Sequence, residues 1–239
     1  MSGAGDRRGW VVVGLSGVTR GGKSTLALKL VSSLPTTTAY LSQDEYILPN
    51  HNPAHPAAPP PMVGINKETL ASVDMTRMLG DLRRVLATPP HDLALADPCQ
   101  LLDRSQVVGC ALQEPRPPIR GCARDSGLPG VLVLDGHHLF GHPEVPPLCH
   151  LRYFLTLTRE QCQARGKQRK ATSSFLTSPL YFDLCIWPQY EEHLAAVRGG
   201  VGGEVRMLEG ATPTDSLAAM VEGELRPLLG LAGAAPESC

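Results

Sequence analysis

The patterned part of the chain begins with an unbroken apolar run, "WVVVGL" at 10–15. It stops in glycines and gives way to Leu26, Ala27, Leu30, Val31 and Leu34 at helical spacing, closed by Pro35. A continuous aliphatic run predicts a strand buried on both faces, and the recurrence after it predicts a helix from Gly22 onward. "TAYLSQD" (38–44) predicts a second strand that ends in a carboxylate. "LPNHNPAHPAAPPPMVG" (48–64) is too rich in proline for regular structure and reads as a surface loop or flap. Helical periodicity returns between Lys67 and Leu86, with Leu70, Val73, Met78, Leu79 and Leu82 on its inner face. Residues 88–129 hold Pro89, Pro90, Pro98, Pro115, Pro117, Pro118 and Pro129. They read as an irregular insertion, partly disordered, with "LALAD" and "QVVGCAL" as its short elements.

"GVLVLDG" (130–136) repeats the buried-strand pattern and again ends in a carboxylate, while "LRYFLTL" (151–157) and "EVRML" (204–208) predict a fourth and a fifth strand. Helices are predicted over 158–170, which is basic, over 181–197, which Pro188 should kink or interrupt, and over 214–229, with Thr214 as N-cap. Strands alternating with helices and no tandem repeat predict an α/β three-layer sandwich around a five-stranded parallel sheet. The expected organisation is one domain over 9–230, between flexible tails at 1–8 and 231–239.

Composition narrows the class. The 239 residues carry 22 basic and 23 acidic side chains, a net charge of -1, with no block of like charge. Neither a nucleic-acid backbone nor an anionic membrane is an expected partner. No apolar stretch has the length of a membrane span and "MSGAGDRRGW" is not a signal peptide, so the expected setting is the cytoplasm, and the expected state a monomer. Seven cysteines, an odd number without a CxxC pair, suggest reduced bystander thiols. His138 and His142 could share a helix face, but no Glu lies between them at the zinc-protease position; ordinary loop or packing roles are favoured over metal ligation.

The chemistry is concentrated in "GVTRGGKS". Gly17, Val18, Thr19, Arg20, Gly21, Gly22, Lys23 and Ser24 fit the phosphate-loop pattern G-x-x-x-x-G-K-S/T without a mismatch, between a predicted strand and a predicted helix. The glycines let backbone N–H groups turn inward, the helix start adds positive potential, Lys23 reaches the outer phosphates and Ser24 offers a hydroxyl to Mg²⁺. Thr25 follows in the first turn. Asp44 and Asp135 each end a predicted strand, at the edge where open α/β sheets bind ligands. One carboxylate can then activate an acceptor hydroxyl while the other serves the metal. "NKET" (66–69) echoes the guanine-reading pattern, but Thr69 stands where a carboxylate is needed and no D-x-x-G follows Asp135, which argues against a GTPase. Arg165, Lys167, Arg169 and Lys170 form a basic segment suited to a lid over the phosphates, within a lid region at 158–180.

With "GLSGVTRGGKSTL", "LPTTTAYLSQDEY", "LDGHHLF", "RYFLTLTREQC", "SPLYFDLCIWPQY" and "LEGATPTDSL" in this order, the chain resembles the nicotinamide riboside kinases, close to the uridine-kinase-like P-loop kinases. The resemblance implies a P-loop kinase fold with a helical lid, and transfer of the γ-phosphate of ATP to the 5′-hydroxyl of nicotinamide riboside, giving nicotinamide mononucleotide for NAD synthesis. It also implies Asp44 as proton acceptor and Mg²⁺ ligand with Ser24 as the second ligand, Glu45, Tyr46 and Ile47 lining the nucleoside site, Arg169 binding the ribose and Arg165 touching phosphate. Lys67 and Glu68 align with the aromatic–aspartate pair that holds base and ribose in this family, Asp135 stands where a glutamate is usual, and Lys170 and Ala171 stand near the lid aromatic. A kinase of another nucleoside or small hydroxyl metabolite, and a nucleotide-binding scaffold without turnover, are the alternatives left open.

Overall fold

The computed structural model describes residues 9–97, 119–168 and 178–231. Its central strand, β1 (Trp10–Gly17), is buried at every position. Trp10 and Val12 join one core with Met78, Leu82 and Val85 of α2 (Met75–Ala87) and Tyr190 and Val197 of α5 (Trp187–Arg198). Val11, Val13 and Leu15 join the other core with Leu26, Leu30 and Val31 of α1 (Lys23–Ser33) and Leu217, Val221 and Leu225 of α6 (Thr214–Leu228). Successive strand side chains point to opposite faces, so a strand covered on both sides must be apolar throughout.

The strands are β2 (Thr38–Ser42), β3 (Arg120–Cys122), β4 (Gly130–Asp135), β5 (Leu151–Thr156) and β6 (Arg206–Glu209), in the spatial order β3-β2-β4-β1-β5-β6. The sheet therefore has six strands, not the expected five, and is mixed: β3 pairs antiparallel with β2 while the other pairs run parallel. β3 lies in the segment read as irregular. "RGC" is too short to show alternation, and it becomes a strand through its partners, Thr38 opposite Cys122 on one side and a bridge from Ala96 to Arg120 on the other. "QVVGCAL" lies outside the described residues.

Register fixes what meets at the carboxyl edge. Leu15 and Ser42 both pair with Asp135, and Gly17 pairs with Leu155. The loop after β1, the end of β4 and the turn after β2 (Gln43–Tyr46) are thereby brought side by side.

Three helix boundaries differ from expectation. α2 starts late because Asp74 caps it, its Oδ1 accepting from the Arg77 N–H at 2.9 Å; the preceding residues form a short 3₁₀ turn (Leu70–Ser72) and a bridge from Val73 to Ile47. At α6 the cap position is Pro213, and Thr214 is already helical with no side-chain cap bond. Pro188 is the second residue of α5, which follows directly on a π-helical turn. The chain enters through α4 (Pro179–Tyr181) and a π-helical turn (Phe182–Ile186), so the interruption falls before the proline. The basic helix is α3 (Arg159–Gln168); Arg169, Lys170 and Ala171 lie outside the described residues.

Gly17 is where fold and loop are joined. Its φ is 123°, and a Cβ there would lie 2.2 Å from the Leu155 carbonyl oxygen. Gly17→Ala is expected to lower stability by more than about 1 kcal/mol in urea unfolding. A wild-type unfolding midpoint would contradict this reading of the β1–β5 contact.

Candidate active site

The phosphate-loop segment wraps the start of α1. Val18 donates its N–H to the Leu155 carbonyl at 3.2 Å, Gly21 donates to the Val18 carbonyl at 2.9 Å, and Gly22 precedes the helix with φ 94°. The first turn of α1 leaves N–H groups without helical partners at this edge of the sheet, an arrangement that attracts anions. Lys23 is 9% exposed and its Nζ donates to the Gly17 and Val18 carbonyls at 3.0 and 2.9 Å. Burial lowers its pKa, against the opposing pull of Asp44, Asp135 and Glu68. Thr25 is exposed on the same turn.

Asp135 is 2% exposed, at the end of β4. Tyr40 donates its hydroxyl to Asp135 Oδ1 at 3.1 Å, and the Ser24 and Ser42 hydroxyls also bond the carboxyl group. Burial and the nearby Asp44 raise its pKa, while Ser24, Ser42 and Lys23 pull it down. Asp44, two residues beyond β2, is the solvent-facing counterpart at 52% side-chain exposure, with His137 Nδ1 lying 3.7 Å from its Oδ1. The two carboxylates at the strand ends therefore differ in kind: one is fixed inside the sheet edge, the other is open to an incoming group.

The residues after Asp44 face other parts of the fold. Glu45 is paired with Arg120 of β3 at 2.5 Å. Tyr46 is buried and donates its hydroxyl to Asp81 Oδ2 on α2 at 3.1 Å, and Ile47 bridges Val73. Glu68 goes the opposite way, into the site. It is 7% exposed, its Oε2 accepts from the Thr19 hydroxyl at 3.0 Å, and the Tyr181 hydroxyl lies 3.5 Å from its Oε1. Lys67 is half-buried, and its backbone N–H donates to the Tyr181 hydroxyl at 3.0 Å. Partial burial lowers the Lys67 pKa and Glu68 partly restores it.

Arg165 of α3 donates to the carbonyls of Arg20 at 3.1 Å and Gly210 at 2.6 Å, so its guanidinium ties the loop to the segment after β6. Arg20 itself extends over the Phe182 ring, 5.8 Å from the centroid.

Two groups of neighbours had no local signal in the sequence. Gly210 packs so closely that a Cβ would lie 2.7 Å from the Gly21 carbonyl oxygen, which makes the turn after β6 a wall of the loop. His137, His138 and His193 form the second group: His138 and His193 stack with centroids 4.7 Å apart, and His193 Nδ1 donates to the His137 carbonyl at 2.8 Å. Burial brings the pKa of His138 down to about 3 and that of His193 to about 4, so both rings are neutral near pH 7. "DGHH" gives the first two histidines, but the third comes from α5, more than fifty residues later, and only the fold brings it in. Among the described residues no group of three or more His, Cys, Asp or Glu side chains is placed to hold a metal ion. Nor is any described helix long and apolar enough to cross a membrane.

No family model matches the chain. Individual proteins do. Nicotinamide riboside kinase 2 of Mus musculus is 29% identical over 211 residues, covering 87% of this chain and 91% of its own. Nicotinamide riboside kinase 2 of Homo sapiens is 28% identical over 211 residues, covering 87% and 77%. Nicotinamide riboside kinase 1 of Homo sapiens is 24% identical over 218 residues, covering 90% and 91%. Among solved structures, a possible uridine kinase from Bacillus stearothermophilus aligns with a TM-score of 0.49 at 15% identity, over 87% of this chain and 91% of that one. Through nearly nine-tenths of its length, this chain is similar to the nicotinamide riboside kinases.

Proposed function

We propose that the chain phosphorylates the 5′-hydroxyl of nicotinamide riboside with ATP, giving nicotinamide mononucleotide and ADP, as a monomeric cytoplasmic kinase with one domain over 9–230. The observation that carries this reading is the meeting of Lys23, Ser24, Asp135 and the open Asp44 at one sheet edge, in a chain whose relatives bear that kinase name.

Loop amides from Gly17 to Thr25 and Lys23 would hold the phosphates, and Arg165 would brace the loop from α3. Ser24 and Asp44 offer oxygen donors, which suit Mg²⁺, a hard cation that takes few protein ligands and completes its shell with phosphate oxygens and water. Bound there with ATP, Mg²⁺ supplies charge neutralisation on the phosphates. Asp44 takes the proton of the acceptor hydroxyl as its oxygen bonds the γ-phosphorus and ADP departs with the broken bond's electron pair. Asp135 keeps Ser24 oriented. Glu45, Tyr46 and Ile47 would have to reach the nucleoside from positions where they contact Arg120, Asp81 and Val73, and Arg169 would bind the ribose.

Of Lys67 and Glu68, Glu68 is the residue that turns its side chain to the phosphate-loop segment, where its Oε2 accepts from the Thr19 hydroxyl at 3.0 Å.

Nicotinamide riboside with Mg·ATP is expected to yield nicotinamide mononucleotide, measured by chromatography. Asp44→Asn is expected to lower kcat by about 10²–10⁴-fold. Turnover of Asp44→Asn at the wild-type rate would remove Asp44 as the base.

Asp135 gives a second expectation. Because its pKa is raised in the fold, the folded state holds the proton to higher pH than the unfolded chain. Its stabilising contribution is therefore present in acid and is lost as pH rises from about 3.9, the unfolded value, through the folded value. Asp135→Asn is expected to be more stable than wild type at pH 7 in urea unfolding, with the difference shrinking towards pH 4, while turnover falls by about 100-fold or more. Equal destabilisation at both pH values would contradict the burial account.

A further inference from the structure

Three consecutive residues after β4 each have a backbone group held by a buried polar side chain. The Ser16 hydroxyl donates to the Gly136 carbonyl at 3.1 Å, His193 Nδ1 donates to the His137 carbonyl at 2.8 Å, and Gln43 Oε1 accepts from the His138 N–H at 3.0 Å. Ser16 and Gln43 are fully buried and His193 is 3% exposed. Hydrogen bonds to backbone groups inside a protein are costly to leave unmade, so this stretch is pinned at once to β1, to α5 and to the turn after β2.

Gln43 is the member of this set that sits beside a reacting group. It precedes Asp44 in a single four-residue 3₁₀ turn, Gln43–Tyr46, and so short a turn has few internal bonds to hold its shape. The Asp44 side chain is 52% exposed, so the backbone that carries the carboxylate chiefly decides where it points. The Gln43 side chain, in contrast, fills its slot. Its Nε2 lies 3.6 Å from Met75 Sδ on α2, and a Cβ on Gly136 would come within 2.5 Å of its Oε1 and 2.7 Å of its Cβ. Gly136 therefore lacks a side chain where the glutamine occupies the space.

We propose that Gln43 is a positioning residue for phosphoryl transfer: by bonding the His138 N–H it holds the Asp44 backbone in place against the end of β4, where Asp135 and Ser24 meet. An acceptor hydroxyl must lie within hydrogen-bond reach of Asp44 while its oxygen lines up with the γ-phosphorus, and a misplacement of about 1 Å can cost on the order of 10²-fold in rate. Gln43, buried behind the turn, acts on that alignment through Asp44. This inference rests on the riboside-kinase reading with Asp44 as the base.

The test is a double-mutant cycle in steady-state kinetics with nicotinamide riboside and Mg·ATP. Gln43→Met keeps the unbranched shape of the side chain and replaces the amide by a thioether, a weak acceptor at most. Gly136→Ala leaves the glutamine in the chain and presses it out of its slot. Each is expected to lower kcat by roughly 10–100-fold while KM for ATP stays within about twofold. In the Asp44→Asn background, Gln43→Met is expected to change the remaining kcat by less than about twofold, because a residue that acts through another has nothing left to act on. General damage to the fold would lower kcat in both backgrounds alike. Should Gln43→Met not fold, Gly136→Ala carries the same comparison. A wild-type kcat in either variant, a fall of the same size with and without Asp44, or a rise in KM for ATP matching the loss of kcat would overturn the proposal and leave the kinase reading standing. A wild-type protein that phosphorylates no riboside would overturn both.

Discussion

The site depends on one buried carboxyl group. Asp135 ends β4 in register with Leu15 on one neighbouring strand and Ser42 on the other, and it is bonded by Tyr40, Ser24 and Ser42 with Lys23 close by. An ionisable group without these partners would be too costly to bury, and with them it joins β1, α1 and β2 at a single point. Everything expected to handle phosphate hangs from that point. Ser24 sits in the first turn of α1, the Lys23 Nζ bonds the loop's carbonyls, and Asp44 lies two residues beyond Ser42.

Around this fixed centre the chain arranges charge unequally. Lys23 is buried facing Asp44, Asp135 and Glu68, whose carboxylates oppose the lowering of its pKa by burial. Glu68 extends the linkage outward, reaching from the segment after the proline-rich loop to Thr19 on one side and towards Tyr181 at the start of α4 on the other. The segment after the proline-rich loop, the phosphate loop and α4 thus meet at one carboxylate.

Much of this was legible in the sequence because its signals were local. "WVVVGL" and "GVLVLD" declared buried parallel strands by their unbroken apolar runs, and "GVTRGGKS" declared its loop by spacing between a strand pattern and a helix pattern. What escaped was set by partners distant in sequence. "RGC" became a strand because Thr38–Tyr40 and Ala96 offered it an edge. The helix read from Lys67 began instead at Met75, where Val73 is held in a bridge with Ile47 and Asp74 supplies the cap. Tyr46 carried no mark of whether it would face a ligand or Asp81, and the histidine stack needed α5 to return to β4.

The central claim is that one acceptor hydroxyl meets the γ-phosphate at Asp44. The most direct measurement is a crystal structure with a non-hydrolysable ATP analogue, Mg²⁺ and nicotinamide riboside. The account predicts the γ-phosphate against Lys23 and the loop amides, and the riboside 5′-oxygen within about 3 Å of an Asp44 carboxylate oxygen. An acceptor bound with its 5′-oxygen turned away from Asp44, or phosphates seated outside the Gly17–Ser24 loop, would contradict it.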